Sequence, residues 1–98
     1  MTIELTGKQK RTLRALGHHL KPVTQVGKQG LVESVVAQVE DNLIAHELIK
    51  VKVLKTCPHD PQAVAAQIIE QTGAALAQSV GRTLLLYRPH PEQPVLQP

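Results

Sequence analysis

The stretch Val23-Thr24-Gln25-Val26-Gly27-Lys28-Gln29-Gly30-Leu31 decides how this chain is read. Val23 to Val26 reads as a short strand, with Val23 and Val26 as its apolar members. Gly27-Lys28-Gln29-Gly30 reads as a Gly-x-x-Gly turn, and a helix is expected to begin just after Gly30. Two glycines three apart let a backbone approach a ligand closely and take positive φ where the corner needs it. A helix starting there would point unpaired, partly positive N–H groups back at the turn, which is a ready anion site. Lys28 adds a mobile full charge. Many strand-to-helix corners carry glycines for geometry alone, so the surrounding chain has to decide.

Upstream, Thr6-Gly7-Lys8-Gln9 has the form of a capping box and predicts a helix start. Leu13, Leu16 and Leu20 share one helical stripe, expected to enter the core. Lys10, Arg14 and His18 lie on another face, and Lys8 and Arg11 add a second short row. A solvated lysine face is the bland alternative. Against it, no acidic residue occurs between Lys8 and Val32. Gly17 is placed to loosen or end the helix, and Pro22 excludes helix at Lys21.

Downstream, Leu31, Val32, Val35, Val36, Val39 and Leu43 repeat at helical spacing to about Ala45. Valine is a poor intrinsic helix former, so packing must hold this segment. Its polar face carries an acidic block expected to look away from a polyanion. Ile49, Val51 and Val53 alternate with Lys50 and Lys52, the pattern of a half-buried strand. Strand, helix and strand at this spacing predict a parallel pair with a right-handed crossover. Asp60-Pro61 is an N-cap followed by proline at the first helical position. Val64, Ala65, Ile68 and Ile69 mark the buried side of that helix, and Gly73 ends it. Leu76–Val80 and Thr83–Arg88 are expected to pair antiparallel around Gly81-Arg82. The expectation is one α/β domain of order αβαβαββ, a four-stranded mixed sheet with three helices, over residues 1–90. Pro89, Pro91, Pro94 and Pro98 predict a flexible, Pro-rich tail over residues 91–98.

At 98 residues the chain has the length of one domain with one modest core. No apolar run approaches the roughly 18–20 residues that cross a bilayer, so no membrane partner is expected. Met1-Thr2-Ile3-Glu4 leads into a basic segment without an apolar leader, which predicts a cytoplasmic protein. A single cysteine, Cys57, makes no internal disulfide and suits a reducing compartment.

Net charge is +3, and its distribution is more informative. Residues 1–32 carry Lys8, Lys10, Arg11, Arg14, Lys21 and Lys28 against Glu4 alone, whereas residues 33–47 carry Glu33, Glu40, Asp41 and Glu47 with no base. The positive end contains the Gly-x-x-Gly turn, which points to a polyanion partner. Tyr87 is the only aromatic residue. Base recognition by several stacked aromatic rings is therefore excluded, and a nucleic acid would be held mainly through its backbone.

Other chemistry lacks its residues. His18, His19, His46, His59 and His90 show no metal-ligand spacing, so no metal and no cofactor are expected. Cys57 has His59 two residues on but no triad, and there is no nucleophile elbow. The turn lacks the Walker A and Rossmann glycine patterns. No enzyme activity and no small-molecule substrate are expected.

Four blocks together resemble the YhbY family, the stand-alone bacterial form of the CRM (chloroplast RNA splicing and ribosome maturation) domain. They are Leu20-Lys21-Pro22-Val23, Val26 to Leu31, His46 to Lys52, and Gly81 to Arg88. The resemblance covers about residues 4–90. It implies an RNA-binding domain similar to the C-terminal domain of a bacterial translation initiation factor. It also implies association with large ribosomal subunit precursors, while plant relatives carry the domain in group II intron splicing factors. The family's loop falls on Gly27, Lys28, Gln29 and Gly30, and its basic first helix on Lys8, Lys10, Arg11 and Arg14. The chain departs from the pattern after Pro89. The expectation is a monomeric RNA-binding protein that assists large-subunit assembly. Lys21 extends the contact, with Arg82 and Arg88 as outer contacts. The rival expectation is a protein-interaction adaptor docking through the acidic helix 31–45.

Overall fold

The computed structural model describes residues 4–98, so Met1, Thr2 and Ile3, read above for a leader, lie outside the described residues. The elements are α1 (Gly7–Gly17), β1 (Pro22–Val26), α2 (Glu33–His46), β2 (Leu48–Val53), α3 (Pro61–Thr72), β3 (Ala75–Val80) and β4 (Thr83–Tyr87). Their order is αβαβαββ, a small α/β domain. The sheet order is β1-β2-β4-β3, with β1 parallel to β2 and β4 antiparallel to both of its neighbours.

The local signals work as hydrogen-bond chemistry. Gln9 N donates to Thr6 Oγ1 at 3.1 Å and Thr6 N donates to Gln9 Oε1 at 2.9 Å, a closed capping box. Ala63 N donates to Asp60 Oδ1 at 2.8 Å, and Pro61 follows where its missing N–H costs nothing. Gly73 ends α3 in the left-handed region, φ 74°, a conformation that suits glycine.

Helix α2 starts later than expected, at Glu33 rather than directly after Gly30. Gly30 N donates to Gly27 O at 2.9 Å, closing the turn, and Val32 N donates to Gly30 O at 3.0 Å. This second bend consumes Leu31 and Val32 before helical dihedrals begin.

The two faces of the sheet pack differently. One face, with α2 and α3, forms a closed core of Val26, Val39, Leu43, Ile49, Val51, Val53, Val64, Ile68, Leu84 and Leu86. The other face, under α1, holds a smaller cluster of Leu13, Leu48, Ala77, Leu85 and Tyr87. The leucine stripe of α1 is corrected here. Leu13 is fully buried, but Leu16 and Leu20 are 46% and 38% exposed. Helix α1 rests mainly on β2, β3 and β4, away from β1 at the sheet edge. Leu16, Leu20 and Val23 therefore open into a groove of about 410 Å³ that Leu96 also lines.

Residues 91–98 form no helix or strand. Their main chain meets Glu47, which sits at φ 64° between α2 and β2. The Glu47 carboxylate accepts from His90 N at 3.0 Å, Val95 N at 2.7 Å and Leu96 N at 3.1 Å. Burial pushes its pKa up, but the N–H donors of His90, Val95 and Leu96 outweigh burial and hold it below the ordinary value. This member of the acidic block faces inward. No helix among the described residues is long and apolar enough to cross a membrane.

Candidate nucleic-acid interface

β1 and β2 finish, and β4 begins, at one end of the sheet, because Val26 lies opposite Val53 and Lys52 opposite Thr83. The Gly27–Gly30 turn, residues 54–60 and the Gly81-Arg82 turn therefore gather there. Leu54 N donates to Val26 O at 2.9 Å, Val53 N to Arg82 O at 2.7 Å, and Arg82 Nη1 to Leu54 O at 3.3 Å.

The two glycines of the turn are not equivalent. Gly30 has φ 75°, which an L side chain rarely adopts, whereas Gly27 has no positive φ. A Cβ on Gly30 would stand 3.6 Å from Pro58 Cγ, and one on Gly27 3.5 Å from Leu54 Cδ1, both ordinary contacts. Gly30 is thus required by backbone conformation, while Gly27 leaves the main chain bare. Lys28 and Gln29 are exposed at the tip. Among the described residues, the N–H groups of Lys28, Gln29 and Leu31 have no protein acceptor. Glu33 in the first turn of α2 offsets part of the helix dipole. The attraction for an anion therefore comes from the turn's own amides and Lys28 more than from the helix end.

The other basic residues divide by place. Arg82 lies at the loop end of the sheet. Lys8, Lys10, Arg11 and Arg14 are exposed on α1, which covers the face opposite α2 and α3. Lys21 precedes β1 and so stands at the far end of that strand, about 16 Å from the turn at strand rise. Arg88 also lies at the far end, following Tyr87, which pairs with Leu48. Its Nη1 donates to Thr72 O at 2.7 Å and to Glu40 Oε1 at 2.9 Å, and its Nη2 is bonded to Glu40 Oε2. That bidentate pairing commits the Arg88 guanidinium inside the fold. The Arg88 hydrogen bond, opposed by burial, holds the Glu40 carboxyl below its ordinary pKa.

Lys50 and Lys52 are not among the site residues expected from the sequence, where they mark only the polar positions of a half-buried strand. The alternation that identified the strand already placed them on one face. It could not say that this face is the one that α1 covers incompletely.

The comparisons with known proteins agree with this architecture. The CRS1/YhbY (CRM) domain model matches residues 5–88. A Bacillus subtilis protein named a probable RNA-binding protein, YqeI, is 45% identical over 84 residues, covering 86% of this chain and 88% of that protein. An RNA-binding protein of Haemophilus influenzae is 44% identical over 94 residues, covering 96% and 95%. The solution structure of the Staphylococcus aureus hypothetical protein SAV1595, described as a candidate RNA-binding protein, superposes with a TM-score of 0.75 at 42% identity, covering 87% and 88%. A small mixed sheet with a glycine corner, three helices in this order and a family match over nearly the whole chain have one reading: the chain belongs to the CRS1/YhbY (CRM) domain family.

Proposed function

We propose that this chain is an RNA-binding protein that holds structured RNA through the Gly27–Gly30 loop and the exposed basic rows of α1. We further propose that the RNA is ribosomal RNA in large-subunit precursors, whose assembly the protein assists. The observation that carries the binding site is the loop itself. It combines an exposed Lys28, a bare main chain at Gly27 and three N–H groups without a protein acceptor among the described residues. Phosphate oxygens are the acceptors that fit such a corner. Lys8, Lys10, Arg11 and Arg14 extend the contact along the backbone, with Arg82 beside the loop. The names of the relatives support RNA as the polyanion, and the family resemblance is what supports the ribosomal assignment. No residue is assigned a catalytic role.

The test is a titration of RNA at several salt concentrations. With about five phosphates engaged, log K falls with log salt at a slope of roughly −3.5 on single strands. Lys28→Ala lowers affinity across sequences and shortens that slope by somewhat under one unit, about 0.7. A flat salt response sinks the reading. Crosslinking in cells, with sequencing of the attached RNA, tests the ribosomal part. The adaptor reading loses charge in the fold, because Glu40 is bound to Arg88 and Glu47 is buried, leaving Glu33 and Asp41 outward. Partners that survive nuclease treatment would restore it.

A further inference from the structure

Helix α1 covers only half of its sheet face. Its last residue, Gly17, sits so close to β4 that a Cβ there would lie 2.7 Å from Leu85 Cδ1. Among the described residues, α1 is the one helix on this face, and it ends at that contact. Most of the residues there are polar. Lys50 and Lys52 alternate with Ile49, Val51 and Val53, which belong to the closed core, so both lysines stand on the α1 face. Gln25 lies between the buried Thr24 and Val26 and shares that face. A depression of about 330 Å³ is lined by His18, Lys50, Gln78, Val80, Thr83 and Leu85. The register draws one row across all four strands: Gln25 opposite Lys52, Lys52 opposite Thr83, and Thr83 opposite Val80. This row ends one residue before Val26, and Gly27 follows. The open half-face therefore runs directly into the phosphate-binding corner.

We propose that this half-face is a platform that reads the bases of an unpaired RNA segment. The inference rests on the reading that the loop and α1 hold RNA phosphates, and it adds the part that discriminates between sequences. Three features carry it. The first is charge: Lys50 and Lys52 are basic, and none of the described strand residues on this half-face is acidic. The second is hydrogen-bonding capacity. The Gln25 and Gln78 amides each offer donors and an acceptor, and the Thr83 hydroxyl and His18 ring offer both functions. Unpaired bases present matching groups on their Watson–Crick edges. The third is rigidity, since three of these side chains stand on strands of one sheet and hold their spacing better than loop residues would. The His18 imidazole is a ring on which a base can stack, and the 61% exposed Val80 adds an apolar contact. Loop phosphate contacts set affinity, and this face sets preference.

A randomised single-stranded RNA pool, selected on the wild-type protein and sequenced, tests the proposal. Selection is repeated on Gln25→Ala/Gln78→Ala and on Lys28→Ala, with thermal melts to confirm folding. Wild type is expected to enrich a short motif. The double glutamine variant is expected to lose that preference by about tenfold while keeping most of its general affinity. Lys28→Ala is expected to keep the motif and bind it more weakly. An unchanged motif in the glutamine variant, or no motif in the wild type, overturns the platform and leaves the loop reading standing. No RNA binding by the wild type overturns both. Amide shifts on titration with the selected RNA should appear at Gln25, Lys52, Gln78 and Thr83. Shifts confined to residues 27–31, or shifts on this face caused by a protein and not by RNA, overturn it as well.

Discussion

The two faces of one sheet in this protein have been built to different ends. On the α2 and α3 face, side chains of β1, β2 and β4 are buried beneath two helices, β3 adds the partly buried Leu76, and the core is continuous. On the α1 face, a single helix seals four sheet residues with its own Leu13 and leaves lysines, glutamines and a threonine uncovered. Leu85 and Leu86 are neighbours in β4, and one points to each face. The same strands thus supply stability on one side and a chemically addressable surface on the other. A small domain can bury only so much, and here the shortfall is concentrated on one face.

Truncating the two leucines measures that asymmetry. Leu86→Ala empties a site in the closed core and is expected to cost about 4 kcal/mol, while Leu85→Ala, beside the open depression, costs about 2–3 kcal/mol. Urea denaturation of both variants checks this, and equal losses would erase the contrast. Arg88→Ala comes next. It removes the charge-assisted bonds to Glu40 and to Thr72 O, at about 2 kcal/mol, and leaves RNA affinity unchanged. Lys28→Ala should do the reverse, and a binding defect in Arg88→Ala would return the far end of the sheet to the interface.

Thr24 sharpens the comparison with a gain. It is buried, and its Oγ1 has no hydrogen-bond partner among the described residues. Thr24→Val keeps the branched shape and is expected to stabilise the fold by about 1 kcal/mol in the same urea experiment. The matching change at the open Thr83 should have no such effect.

The smallest effect is a pH dependence. The folded-state pKa of Glu47 is lowered, so its stabilisation is complete above the ordinary carboxylate value of 4.5 and is lost as pH falls through the lowered value. Glu40 has the same sign through Arg88, but at 38% exposure its share is small. Melting temperatures of wild type and Glu47→Gln should converge as pH drops below 4.5. A constant difference would show that the tail is held by something other than this carboxylate.

Much of this molecule was legible in its sequence because the signals are short-range. A capping box closes within four residues, Thr6 to Gln9. Asp60-Pro61 starts a helix and Gly73 stops one by chemistry that involves only adjacent turns. The alternation of β2 names its two faces. The glycine corner announced itself through backbone freedom, although the extra bend at Leu31-Val32 did not. What the tertiary structure alone decided is which groups remain available. Arg82 and Arg88 look alike in the chain, yet one borders the loop and the other is bound to Glu40, 48 residues away. Leu16 and Leu20 match Leu13 in spacing, yet α1 stops over Leu85 and leaves them in the groove. Lys50 and Lys52 acquire their setting from the order β1-β2-β4-β3 and from where one helix ends. Strand order and helix coverage arise from long-range packing between segments far apart in the chain, and no local spacing encodes them.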